Sequence, residues 1–300
     1  MFQVRPAHPI QTKAIWDSED APTSFTMFSP QQSYPSNVQL PRTLQRSPYA
    51  EVPPQNVAAV APELASVAIE YVRRGLRVQV NQMLAGISAL SPSHLPSSMP
   101  RSQLQQTRSL TVPLRASSHA PSYPTHILAL SRSSSQDSSA LLVATHAIVL
   151  ASHCASLPRL PPSPVSGHPN ATVSVTLPVL PLSIPSPAAF APLHAFLYTH
   201  SIPQLLSTLV PAIPASFLST LTSPQALRGT LASGPSLHRL SSHLVSSAPG
   251  MGALTGVAQN IAAVWRNAVA LGVHDPDLWD CLDLAWEVVL GAMNLGAGAH

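Results

Sequence analysis

Thirteen histidines and two cysteines are the side chains that could do chemistry in this chain. Imidazole titrates near neutral pH and can serve as a base or a metal ligand, and a thiolate can act as a nucleophile. Spacing argues against both uses. His146 and His153 are seven positions apart with no carboxylate between them, and His194 and His200 are six apart. Neither pair has the i, i+4 separation of a helical zinc site. Cys154 could pair with His153 or His194 as nucleophile and base, but a thiol needs a neighbouring base or cation, and Cys154 falls in an expected buried helix. Cys281 lies far away, with no Cys-x-x-Cys spacing near either thiol. No Gly-x-Ser-x-Gly, phosphate-cradling glycine loop or catalytic carboxylate pair is present, and Gly250-Met251-Gly252 is a lone turn. The expectation is a non-enzymatic protein without cofactor or metal. An enzyme built on Cys154 or a histidine is the minor alternative, which loss of function in a normally folded Cys154→Ala variant would favour.

Composition narrows the class further. Only 9% of the 300 residues are charged, against roughly 25% in ordinary globular chains. Lys13 is the one lysine among fifteen cations, and the densest basic group is Arg73, Arg74 and Arg77. Three arginines do not make a basic footing for a readout helix, so direct nucleic-acid binding is not expected. Thirty-three prolines interrupt every apolar patch, which argues against a membrane span. The first thirty residues lack a secretory apolar core. Two free thiols and a nuclear or cytoplasmic location follow as expectations.

The elements that would position these residues can be placed in order. Residues 1–56 mix proline, glutamine, serine and isolated aromatics such as Trp16 without helix or strand period, and read as a disordered tail. Residues 57–90 carry Leu64, Val67, Ala68, Tyr71, Val72 and Leu76 at spacings of three and four, an amphipathic helix expected from Pro62 toward Ile87. Residues 91–125 read as a serine- and proline-rich linker. Ile127–Leu130 and Leu141–Ala144 flank a polar turn and predict a β-hairpin. A short buried helix is expected over His146–Leu157, a period-two strand over Val173–Leu177, and a helix with a buried stripe from Phe190 to Tyr198. Residues 211–300 are helical. Asp275 as N-cap with Pro276 at the first helical position opens the last helix, which carries Trp279 and Trp286, and a helix ended by Gly272 precedes it.

The stretch from His146 to Thr199 resembles the BTB/POZ fold. That family has a strand leading into a helix of the form His-x-x-x-Leu-Ala-x-x-Ser-x-x-Phe. Here His146, Leu150 and Ala151 match, with Cys154 and Leu157 at the serine and phenylalanine positions. Phe196-Leu197-Tyr198-Thr199 is similar to the family's later helix end. A closer resemblance is to the clampless-type proteins of basidiomycete fungi, carried by His146–Cys154, the run Val175–Leu182, Phe196–Thr199 and a tryptophan-bearing helix pair at the C-terminal end.

The sequence therefore reads as an α+β protein with a divergent BTB/POZ-like core over 126–210, a helical extension over 211–300 and a disordered N-terminal tail. His146, Leu150, Cys154, Phe196 and Tyr198 are the residues of the fold motif. The surfaces expected to meet a protein partner are the exposed face of the 64–77 helix, through Tyr71, Arg73, Arg74 and Arg77, and the last helices, through Trp279 and Trp286. The resemblance implies a regulator of sexual development, needed for clamp cells and acting in transcriptional regulation, with homeodomain-type transcription factors as partners. A homo-oligomeric BTB-like adaptor, for example in ubiquitin ligation, is the alternative.

Overall fold

The computed structural model describes residues 40–115, 121–132, 138–162 and 174–298. The tail aromatics before residue 40, Asn170 and Val173 lie outside the described residues. The chain enters as an extended strap over residues 40–53, in which Leu44 and Val52 are buried. Trp286 Nε1 donates to Pro41 O and Trp265 Nε1 donates to Gln45 O. Residues 40–56 are thus not a free tail: Leu44 and two indole donors fix the strap's first part to the C-terminal helices, and Val52 packs with Ile69, Val72 and Ala151.

Helix α1 (Pro54–Val60) and α2 (Ile69–Ser88) follow, separated by a 3-10 turn at Pro62–Leu64. The single helix expected from Pro62 is therefore broken. Ile69, Val72, Met83 and Gly86 form the buried side of α2, while Tyr71 faces solvent. Residues 91–125, expected as linker, contribute β1 (Ser98–Pro100), α3 (Arg101–Leu104) and β2 (Ser109–Pro113) to the fold. These strands are too short and too interrupted by serine and proline to show a period of two.

The expected hairpin forms as β3 (His126–Ser131) antiparallel to β4 (Ser139–Thr145), and α4 (Ala147–His153) follows directly. Strand β5 (Ser174–Ser183) lies parallel to β3 and antiparallel to β2, giving the sheet order β1-β4-β3-β5-β2. β5 continues beyond Leu177 through Pro178 and Pro181, residues that normally end a central strand. Register explains why it does. Val179 N donates to Arg108 O on one side and Ile184 N donates to Ser131 O on the other, so odd residues address β2 and even residues β3. Pro181 thus aims its nitrogen past the end of β2, and Pro178 aims its nitrogen ahead of the β3 ladder, which begins at Val179. Neither position needs an N–H.

The helices α5 (Phe190–Thr199), α6 (Ile202–Leu209), α7 (Ala215–Leu218), α8 (Pro224–Leu231), α9 (Gly234–Ser247), α10 (Met251–Leu271) and α11 (Pro276–Ala297) complete the chain. α11 buries most of its circumference, from Leu278 and Trp279 to Ala292 and Met293, and leaves one half-exposed stripe through Asp280, Asp283 and Glu287. Gly272 ends α10 with φ 65°, and Asp275 Oδ1 accepts from Asp277 N and Leu278 N to start α11. Residues Leu40–His300 make one compact unit, so sheet and C-terminal helices share a core.

Candidate interaction site

The residues of the fold motif meet in a closed polar network at the start of α4. His146 Nε2 lies 3.0 Å from Ser122 O, a carbonyl, so this nitrogen carries the proton and Nδ1 offers its lone pair. Tyr198 Oη, 3.0 Å from that Nδ1, donates to it and accepts from His146 N at 2.8 Å. Thr145 Oγ1 is 3.3 Å from Tyr198 Oη and 3.0 Å from His194 Nε2. Burial lowers His146 and His194 to about 4 and raises Tyr198 to about 12, so all three are neutral near pH 7. Leu150 and Phe196 are buried beside them. This network joins the head of α4 to α5.

Cys154 pairs in a backbone bridge with Val273, and burial pushes its thiol up to about 12. Cys281 is likewise buried, and its thiol is pushed up by burial. Such thiols are not nucleophiles at neutral pH. Among the described residues no three His, Cys, Asp or Glu side chains are placed to hold a metal ion.

The tryptophans expected at an interaction surface are instead core residues. Trp279 is 3% exposed and Trp286 2%; Trp279 Nε1 donates to Val273 O, and the strap covers Trp286. A period of 3.6 marks a buried face without saying whether the cover comes from the chain or from a partner. Here the chain supplies it.

The α2 residues have a different setting. Tyr71 is 66% and Val78 83% exposed, and the Arg74 guanidinium carbon sits 5.6 Å from the Tyr71 ring centroid. Residues 71, 74 and 78 fall on one helical face, giving an aromatic–arginine–aliphatic stripe open to solvent. Arg73 turns toward the body, where its Nε donates to Ser152 O at 2.7 Å. Arg77 Nη2 is 3.4 Å from His200 Nδ1. Beside these arginines is an open cleft of about 270 Å³ lined by Glu70, Arg73, Arg74 and Arg77 of α2, by His153, and by residues 274–276.

His153, His200 and Asp275 in this cluster were not singled out as a site by sequence. The His153 and His200 rings are 5.2 Å apart, and His200 Nδ1 is 3.1 Å from Asp275 Oδ2. His200 holds φ 46°, a left-handed conformation uncommon outside glycine, at the end of α5. The available signal was a histidine just after a helix end where glycine is usual, together with a capping aspartate whose second oxygen needed a partner. Val78 was missed because a lone valine within an arginine-rich helix reads as neither core nor site.

No helix among the described residues is long and apolar enough to cross a membrane. Residues 47–185 match the Clampless protein 1 N-terminal domain and residues 203–300 match the Clampless protein 1 C-terminal domain. No curated protein and no solved structure matches the chain. The two matched regions share one core, and the α5 segment carrying Phe196 and Tyr198 lies between them. With most of its length matched by the two domains in their order, the chain belongs to the clampless protein 1 family.

Proposed function

We propose that this protein is a non-enzymatic regulator of clamp-cell formation in fungal sexual development, binding transcription factors of the homeodomain type through the outer face of α2 in the nucleus. The single observation that carries the binding face is the exposed stripe of Tyr71, Arg74 and Val78 on a helix whose other side is packed. Tyrosine and arginine are enriched at hot spots, tyrosine because it offers large area at low ordering cost and arginine because its planar fork stacks and makes several hydrogen bonds. The family supports the developmental role, and the neutral, enclosed histidines and thiols support a role without catalysis. The test is complementation of a strain lacking the protein with a Tyr71→Ala, Val78→Ser variant. Loss of clamp cells at normal protein level, with lost capture by purified homeodomain factors, is expected. Normal clamp cells would remove α2 as the binding face.

A second reading has its own support. The order hairpin β3–β4, α4, β5 parallel to β3, then α5 is compatible with the BTB/POZ resemblance of the sequence, under which this segment would make an adaptor dimer. Light scattering on the full chain separates the two, since a tight dimer favours the adaptor.

A further inference from the structure

We propose that the cleft between α2 and the start of α11 receives the anionic side chain of an acidic segment in a protein partner, a phosphoryl or carboxylate group set against Arg73 and Arg77. The inference rests on the reading of α2 as a docking face and specifies what the partner must carry beside its apolar contact with Tyr71 and Val78.

Charge is the first argument. In a chain with few charges, three arginines occupy five successive positions of α2 and all three line the cleft. Arg73 and Arg77 stand at i, i+4, a like-charge spacing that weakens a helix unless an anion lies between them. The two carboxylates in the lining do not fill that role. Asp275 spends one oxygen on the backbone of α11 and the other on His200. The Glu70 side chain is 76% exposed and reaches Arg73 only at 3.9 Å, too long for a tight pair.

The second argument is a buried group without a partner. His153 lines the cleft, is 4% exposed, and uses Nδ1 on Val149 O at 2.9 Å. Its Nε2 has no hydrogen-bond partner. Because Nδ1 donates to the Val149 carbonyl, the unpaired Nε2 is an acceptor, and the P–OH of a singly protonated phosphoryl group would meet it where a fully ionised oxygen would not. Arginine forks suit the two oxygens of a carboxylate or phosphoryl group, and the open face of the cleft adjoins Arg74 and hence the Tyr71 stripe. A peptide lying along α2 would meet both.

The probes are fluorescein-labelled hexaglutamate and a glycine-flanked peptide carrying one phosphoserine, with the unphosphorylated peptide as control, titrated into the full chain and followed by anisotropy. We expect saturable binding of at least one anionic probe, no binding of the control, competition by inorganic phosphate, and at least tenfold weakening in Arg77→Glu. The tighter of the two probes identifies the group. Arg74→Glu, at a more exposed position, is the second variant should Arg77→Glu alter the melting curve. Absence of saturable binding, or undiminished binding in a normally melting Arg77→Glu protein, overturns the cleft. The two readings fail separately. Tyr71→Ala, Val78→Ser spares the short probes but should remove clamp cells, so lost probe binding with intact dependence on Tyr71 sinks the cleft alone.

Discussion

Asn267 and Ser186 bond as if they were neighbours in a sheet: Ser186 N donates to Asn267 Oδ1 at 2.9 Å and Asn267 Nδ2 donates to Ser186 O at 2.7 Å. Asn267 is 0% exposed, so one side chain of α10 satisfies both main-chain groups of the loop after β5. Asn267→Ala would leave that pair unmet and should cost about 2–4 kcal/mol. Urea denaturation measures it, and a loss below about 0.5 kcal/mol would mean that water replaces the amide.

Tyr198→Phe tests the network at the head of α4. Removing the hydroxyl leaves His146 N and Nδ1 without their partner in a site closed to water. The expected destabilisation is about 1–3 kcal/mol. Tyr49→Phe is the control, since that ring is 79% exposed, and it should be silent. Equal effects of the two substitutions would show that the buried hydroxyl contributes nothing special.

The difference between Tyr198 and Trp279 shows what the sequence could carry. Local signals were legible: the hairpin of β3 and β4, Asp275 as a cap, Gly272 as a stop, and the helix beginning at His146 all depend on neighbours within a turn or two. Surfaces were half legible. Tyr71, Arg74 and Arg77 were expected outside and are outside, whereas Trp279 and Trp286 lie under a strap whose irregular sequence has no period to announce it. The cleft was not legible because its walls come from α2, from His153 and from residues 274–276, brought together only by tertiary packing.

Gly86 has no room for a side chain. A Cβ there would lie 1.6 Å from Ser122 O, the carbonyl that also receives His146 Nε2, and Ser122 N is held by Gln82 O. The obstruction is backbone, so it cannot rotate away. Gly86→Ala should therefore destabilise by about 2–4 kcal/mol despite the better helix propensity of alanine, because clash and a disturbed His146 bond outweigh a gain of about 1 kcal/mol. Gly75→Ala, with nothing within 4 Å, should be neutral or stabilising in the same thermal assay. A stabilised Gly86→Ala would contradict the close approach.

Acid should weaken the fold well above the range of carboxylate titration. Burial holds His146, His153 and His194 at about 4, below their ordinary 6.5. Between those values the unfolded chain binds protons that the native chain refuses, so stability is complete above 6.5 and falls as pH drops toward 4. Three such groups give a slope of up to about 4 kcal/mol per pH unit in mid-window. Burial alone would raise Asp275, but His200 and the N–H groups of Leu278 and Asp277 hold it low, extending the loss below the usual carboxylate range. Urea midpoints from pH 7.5 to 5 measure the slope, and a flat profile would mean that these histidines are hydrated in the native state.

The strap offers a choice between two kinds of attachment. Arg42 pairs with Glu287, and Arg46 pairs with Asp280 and Asp283 while lying 5.7 Å from the Trp279 ring centroid. The Arg42 side chain is 73% exposed, and exposed ion pairs contribute at most about 1 kcal/mol. Leu44 is 5% exposed within the main core, and truncating a buried leucine costs about 2–5 kcal/mol. The apolar anchor should therefore dominate: Leu44→Ala is expected to lower the melting temperature several times more than Arg42→Ala, and 0.5 M salt should leave the wild-type melt nearly unchanged. Because Trp286 and Trp265 donate to strap carbonyls, Leu44→Ala should also shift tryptophan emission to the red as these indoles meet water. A larger effect from Arg42→Ala, or a melt that falls steeply with salt, would show that charge rather than burial fastens the strap.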